Sequence, residues 1–584
     1  MQSVNDFFSI LKGRQISIVF IWALFLVSAL LDLFGISLIA PYIALIVSGD
    51  LIQESRFLSL FVKLTGAQEK MDVASALGLF ILLIGIIKCL SGLLTNYFIV
   101  RFCNNVRVDL QLALLSDFLN RDYIKFIEMD HSDYVHIMTA VVSDFTKLLK
   151  TILQTSADLV IAILLIAFLA WTDLQLLILI VVVSSTTIFL VDRLMRGRLV
   201  RTGRLINESN SNIIRCVKET LEGFQEILIF QSKGFFLQKL DANARALARA
   251  NIQSDFFTEL PRYIFELLIT SFIVSLIFYS LLTQMPTMSF VSLLGVYGFA
   301  AVRLFPLLRG AANAVNQLRL RSHSIAVLKR NLHRNYVNDT SADSTNSSVE
   351  PVSFESVSLS NIQFRWDELA EPVLQNVNLS LSKGDRVAIV GGSGVGKTTL
   401  LGVLMGFLTP SAGQVRIEGK TRQGTADEKT FLKNFASKVG LVSQNPFVFG
   451  DTVLSNVTFT DEPKQANIDL LCSSLEKASA SSFVNQLPNG LYSHIGENGR
   501  LLSGGQKQRL AIARALYHGK SILIFDEATS ALDEKTEEQI SHSIELLPKE
   551  ITVILVTHRR RLLKMCNKVY TLKNGVLISN RKLD

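Results

Sequence analysis

The chain has 584 residues, 49% of them hydrophobic, with 58 Lys and Arg against 50 Asp and Glu and a formal net charge of +8. That is too long for one core and too apolar for an ordinary soluble protein, so part of the chain is expected in lipid. The basic residues flank apolar runs instead of forming one dense patch, which excludes nucleic acid as the expected partner. The five cysteines (Cys89, Cys103, Cys216, Cys472 and Cys566) are widely spaced and form no C-x-x-C, which excludes a disulfide framework or a zinc site.

In chain order, apolar runs occupy residues near 16–47, 74–100, 152–171, 174–191, 263–283 and 289–308. Each reaches or approaches the roughly 20 residues needed to cross about 30 Å of hydrocarbon. The first run is too long for the core of a cleaved signal peptide and no cleavage pattern follows it, so it is read as a retained span. Six crossings place both ends of the chain on one side. Arg193, Arg196, Arg198, Arg201 and Arg204 follow the fourth run, whereas the turns at Trp171-Thr-Asp and Gln284-Met-Pro carry no Lys or Arg, so that side is cytoplasmic.

The inner connections are long, about 50 and about 70 residues, and keep helical periodicity, which predicts helices prolonged into the cytosol. Asn120–Phe126 and Glu222–Leu228 are candidate points at which such helices meet another domain; ordinary surface helices are the alternative. Between the first two runs, Ser55–Leu64 carries its apolar residues on one side of a helical wheel, as a helix at the outer membrane surface or a cap on the spans would. Residues 337–350 are polar and rich in Ser, Thr and Asn, so the domain boundary is expected there: a membrane domain over 1–336, a linker over 337–351 and a second domain over 352–584.

The second domain carries the chemistry. Gly391, Gly392, Ser393, Gly394, Val395, Gly396, Lys397 and Thr398 fit G-x-x-x-x-G-K-[ST] in full, behind an apolar strand and ahead of a helical run that begins at Thr399. The glycines let backbone N–H groups and a helix N-terminus face a phosphate chain. Lys397 neutralises the β- and γ-phosphates, and the Thr398 hydroxyl takes Mg²⁺. A second apolar strand ends in Asp526, placed to serve Mg²⁺, and Glu527, placed to polarise an attacking water. Ser503, Gly504, Gly505 and Gln506 precede another helical run and form a second phosphate-facing helix start, which is useful only if two chains face each other.

The set Gly391–Thr398, Gln444, Leu502–Gln506, Phe525–Glu527, Ser530–Asp533 and His558 resembles the nucleotide-binding domain of ABC transporters. The resemblance covers about residues 352–584. It implies that two copies sandwich two ATP molecules, with Ser503 and Gly505 of one chain meeting the γ-phosphate held by Lys397 of the other. It also implies that Gln444 contacts Mg²⁺ and links nucleotide state to the membrane helices, that His558 contacts the γ-phosphate, and that Trp366 stacks on adenine. The expected fold is a multi-domain membrane protein, a six-helix α-helical transmembrane domain followed by an α/β P-loop nucleotide-binding domain, in the manner of an exporter-type half-transporter.

Gly35–Leu45, Leu260–Glu266 and Val302–Pro306 look like the PglK-type flippases of lipid-linked oligosaccharides. Lys88, Arg262 and Arg303 match that family's basic cavity positions, Lys88 standing where its pattern has arginine. A cation in an apolar span costs about 2.5–3.5 kcal/mol on insertion scales, so it needs a partner. Two readings stand: a diphosphate headgroup satisfies several of these cations at once, or they pair with Asp32 or Glu266, or, for Arg262, snorkel to the interface. The expected function is ATP-driven transfer of a polyprenyl-diphosphate-linked oligosaccharide to the outer leaflet by a homodimer in a bacterial cytoplasmic (inner) membrane. Export of other lipids (lipid A-like), drugs or peptides is the first alternative, and an ATP-gated channel or regulator the second.

Overall fold

The computed structural model describes residues 7, 10–11, 13–47, 70–121, 123–172, 174–283, 304, 306–332, 355–367, 371–417, 420–421, 435–527 and 534–580. Ser55–Leu64, Arg303, most of the sixth apolar run, the 337–351 stretch and Ser530–Asp533 lie outside the described residues. The chain divides into two compact units, one of residues 1–121 and 128–345, the other of 122–127 and 346–584.

The first unit is helical. The five described apolar runs fall on α1 (Gln15–Val47), α2 (Lys70–Leu119), α5 (Val142–Thr172), α6 (Leu174–Glu222) and α8 (Lys233–Thr283). Short helices α4 (His131–His136) and α7 (Phe224–Ile229) sit at the bends, α9 (306–320) and α10 (Ser322–Asn331) close the unit, and α3 (Tyr123–Glu128) falls almost wholly to the second unit. The helices outrun their apolar segments: α2 continues to Leu119 and α6 to Glu222, at about 1.5 Å per residue. On α2 the residues Ile99, Phe102, Val106, Leu110 and Leu114 recur at helical spacing and bury against Phe145 and Leu149 of α5 and Ile325 and Leu328 of α10. Toward its N-terminal half the pattern inverts, and Leu79, Leu82, Leu90 and Leu93 are exposed. So wide an apolar exterior is stable against acyl chains and not against water. Two described stretches, Asp72–Leu119 and His131–Ala167, meet the length and composition of a membrane span.

Where α6 passes the end of α9, Gly203 permits a backbone approach that no other residue fits, since an added Cβ would overlap the Leu320 carbonyl oxygen. Of the two candidate meeting points, residues 122–127 belong to the second unit. The Tyr123 ring stacks on Phe407 with centroids 5.0 Å apart, and Ile124 packs on that unit's core. The other, α7, stays in the first unit and leaves Phe224 and Ile229 exposed.

The second unit holds two sheets. One has the antiparallel order β2 (Leu374–Ser382), β1 (Ser356–Phe364), β4 (Ala412–Ile417), β5 (Lys420–Thr421). The other runs β10 (Val576–Asn580), β9 (Lys568–Lys573), β3 (Arg386–Val390), β8 (Thr552–Val556), β7 (Ile522–Asp526), β6 (Val439–Val442), and is parallel except for the edge hairpin β9–β10. Strands β7 and β8 are nearly continuous apolar runs because both faces are covered. On one side lies α11 (Lys397–Leu404), whose Leu400, Leu401 and Leu404 join the buried face of the antiparallel sheet. On the other lie α15 (Gly504–Tyr517) and α16 (Glu534–Glu545), packed with a helical group that includes α12 (Val453–Thr458), α13 (Ile468–Lys477) and α14 (Ser481–Val484).

Asp385 anchors the strand that presents the glycine loop. Its carboxylate accepts from the Ser382 N–H (2.7 Å), the Lys568 ammonium (2.7 Å) and the Asn567 amide (2.8 Å). Burial pushes this carboxyl up, but the Lys568, Ser382 and Asn567 bonds overcome that and hold it below the ordinary 3.8. A carboxyl lowered on folding stabilises the fold fully above the unfolded value and loses that contribution as pH falls through the folded one. We expect Asp385→Ala to cost about 1–2 kcal/mol, because it removes three hydrogen bonds to a buried carboxylate and leaves the Lys568 ammonium only the Ser380 carbonyl at 3.3 Å. Thermal unfolding in detergent should show the gap between wild type and Asp385→Asn closing below about pH 4.

Candidate nucleotide site

Strand β3 leads into Gly391, which runs so close to β9 that a Cβ there would lie 2.6 Å from the Leu572 carbonyl oxygen. Gly394 and Gly396 take φ of +77° and +102°, the left-handed region open to glycine, and the curl ends where α11 begins at Lys397. Lys397 is 8% exposed. Its ammonium donates to the carbonyls of Gly391 (2.8 Å) and Gly392 (3.0 Å) and pairs with Glu527 Oε1 at 3.0 Å. Gly391 and Gly392 thus hold the lysine with their carbonyls, while Val395 packs inward on the core.

Asp526 ends β7, and Glu527 follows with φ of +46°, a strained value for a residue with a side chain, its N–H bonded to Val556 O at 3.0 Å. The turn brings the two carboxyls together at the loop. Burial pushes the Asp526 carboxyl up, Glu527 adds to the rise, and Lys397 opposes it.

Trp366, Ser393, Gly394, Gly396, Lys397, Thr398, Thr399, Gln444, Asp526 and Glu527 line one cavity of about 420 Å³, together with Val373. Sequence reasoning missed Val373. It lies just before β2 and reaches the loop because its N–H bonds Phe364 O of β1 (2.8 Å), and nothing local marks that valine as functional. Trp366 is half exposed and meets Phe364 edge-on at 5.2 Å, leaving ring surface free at the cavity. The cavity offers an ammonium, loop N–H groups and the oxygens of Thr398, Asp526 and Gln444, a hard-donor set that fits a triphosphate with Mg²⁺.

His558 follows β8, is exposed and stands outside this lining. Ser503, Gly504, Gly505 and Gln506 also stand outside it. Ser503 caps α15 in a reciprocal box: its hydroxyl accepts from Gln506 N at 3.4 Å, and Gln506 Oε1 accepts from Ser503 N at 2.8 Å. The Gln506 side chain is thereby engaged by its own helix, while Ser503 and Gly504 remain exposed at the helix start.

A parallel sheet with a glycine loop at a helix N-terminus, fused to long membrane-type helices, defines an ATP-driven transporter. Residues 374–530 match the ABC transporter family and residues 18–307 match the ABC transporter transmembrane region. The chain belongs to the ABC transporters, as an exporter-type half-transporter whose ATPase domain hydrolyses ATP to drive transport. It is 26% identical over 554 residues to an ATP-dependent lipid A-core flippase of Photorhabdus laumondii, covering 93% of this chain and 92% of that one. It is 40% identical over 221 residues to ABC transporter B family member 29, chloroplastic, of Arabidopsis thaliana, an alignment that spans 38% of this chain and 34% of that one. The fold matches the structure of a bacterial Atm1-family ABC exporter with ATP bound, with TM-score 0.75, 21% identity and coverage of 97% and 95%.

Proposed function

We propose that two copies of this chain form a lipid flippase in a bacterial inner membrane, moving a lipid with a large polar head from the cytoplasmic to the outer leaflet. The observation that carries this reading is the alignment with a lipid A-core flippase along nearly the whole chain, membrane half included. A lipid A-core-type head is therefore the first candidate. A polyprenyl-diphosphate-linked oligosaccharide is the second, favoured by the Gly35–Leu45 and Leu260–Glu266 stretches. The basic residues argue for it less than the sequence suggests. Arg262 is held by Glu266 at 3.0 Å and lies 3.9 Å from Glu259, Lys88 is half-buried on α2, and Arg303 and the Asp32 side chain lie outside the described residues.

In the ATPase cycle, the 391–399 loop cradles the phosphates, Lys397 meets the β- and γ-phosphates, and Thr398, Asp526 and Gln444 hold Mg²⁺. Glu527 polarises the attacking water, and His558 and the partner's Ser503 and Gly505 close on the γ-phosphate. The exposure of Ser503 and Gly504 outside their own chain's cavity supports a shared site. Trp366 stacks on the adenine. Replacing Trp366 by Ala should weaken ATP binding about tenfold, read with a fluorescent nucleotide analogue.

The substrate reading is tested in proteoliposomes, by flipping and ATPase stimulation across lipid A-core, polyprenyl-diphosphate oligosaccharide, phosphatidylcholine and apolar drugs. A response confined to one glycolipid identifies the substrate. Stimulation by drugs alone would discard the flippase.

A further inference from the structure

Arg193, Arg196, Arg198, Arg201 and Arg204 do more along α6 than set the topology. At 3.6 residues per turn, Met195, Leu199, Thr202 and Gly203 share one face of the helix and are buried. Arg193, Gly197, Arg201 and Arg204 fall on the opposite face, Arg196 and Arg198 flank the buried one, and all six residues are exposed. Arg204 is taken by Glu208 at 2.7 Å, and Arg198 lies over the Phe257 ring at 6.0 Å. Among the described residues no carboxylate stands within ion-pair distance of Arg193, Arg196 or Arg201. Gly197 sits in the middle of this face, with Arg193 one turn before it and Arg201 one turn after. A Cβ placed on Gly197 would meet nothing within 4 Å, so Arg193 and Arg201 flank an open position with no side chain.

The depth of this face selects its partner. The fourth apolar run ends near residue 191, and the headgroup layer beyond the hydrocarbon is about 5–8 Å thick on each side. For a helix near the membrane normal, Arg193 and Arg196 lie within that layer, about 3 and about 8 Å past residue 191, Gly197 stands at its outer edge at about 9 Å, and the long Arg201 side chain reaches back toward it. Topology requires only a number of cations on the cytoplasmic side. It does not require that Arg193 and Arg201 share the unpacked face, stand clear of the described carboxylates and flank an open position at Gly197.

We propose that this face of α6 is a docking strip for anionic phospholipids of the cytoplasmic leaflet, with a headgroup phosphate seated at Gly197 between the Arg193 and Arg201 guanidiniums. Planar guanidiniums bind phosphate through paired hydrogen bonds, and a cluster of this size next to a span is drawn to an anionic leaflet by about fivefold in affinity per arginine. None of the strip's residues lines the cavity at the glycine loop.

The test uses the full-length transporter in phosphatidylcholine nanodiscs carrying about 20 mol % phosphatidylglycerol, with bound lipids resolved by native mass spectrometry. Wild type should retain phosphatidylglycerol over phosphatidylcholine, and Arg193→Gln/Arg196→Gln/Arg201→Gln should lower that preference at least tenfold. Gly197→Leu keeps every charge, enters open space and improves helix propensity, so it folds; it should lower the preference about threefold or more by filling the seat. A triple variant that keeps the wild-type preference would overturn the strip. A Gly197→Leu protein with unchanged preference would overturn the seat, leaving diffuse charge alone. If the triple variant holds phosphatidylglycerol normally but loses lipid A, the strip serves the transported lipid and the phospholipid assignment is wrong.

Discussion

Glu527→Gln is expected to lower steady-state ATP hydrolysis by about 100-fold or more while ATP binding survives. The amide keeps the size and shape of the carboxyl, so the turn at φ +46° and the N–H bond to Val556 O are retained. Its neutral oxygen is a poor acceptor for the proton of an attacking water. The substitution also removes the charge that pairs with Lys397 at 3.0 Å. A γ-phosphate then competes for the ammonium only with the two loop carbonyls, so ATP should bind at least as tightly as in wild type and accumulate in a closed dimer. Phosphate release and retention of labelled ATP measure the two effects separately. A hydrolysis rate within about a factor of two of wild type would remove Glu527 from the chemistry.

The cavity at the glycine loop was legible because most of its lining is local. Gly391–Thr398 encodes strand, curl and helix start within a dozen residues, and Asp526 and Glu527 are announced by the apolar strand they end. Residues delivered by sheet pairing were not equally visible: Val373 arrives through its bond to β1. Asn120–Phe126 shows the same limit on a larger scale. Its helical pattern was readable, but not that residues 122–127 would stack Tyr123 on Phe407 of the second unit, because an aromatic ring in a cytosolic turn has no periodicity that names its partner. The membrane half was legible as long apolar helices, since hydrocarbon imposes length and composition. Its charges were not: whether Arg262 waits for a phosphate or rests on Glu266 depends on side-chain geometry four residues away on the same helix, and the structure places the carboxylate at 3.0 Å.

Mixed dimers should separate a shared ATP site from one built within a single chain, and the expected outcome inverts between the two. Lys397→Ala removes the ammonium of the glycine loop from one chain. Ser503→Arg places a bulky cation at the exposed start of α15, at a cost of about 1 kcal/mol for the lost cap. If each site takes Lys397 from one chain and Ser503 from the other, a dimer of Lys397→Ala with Ser503→Arg concentrates both lesions in one site and leaves the second intact. A dimer of wild type with a chain carrying both substitutions then has one lesion in each site. The first should recover up to about half of wild-type hydrolysis and the second almost none, although both contain the same substitutions in the same number. If each chain built its own site, the wild-type chain of the second dimer would work and the first dimer would be dead. Purifying both dimers through two different affinity tags and comparing their ATPase rates decides between these arrangements, because only the pairing of the lesions differs.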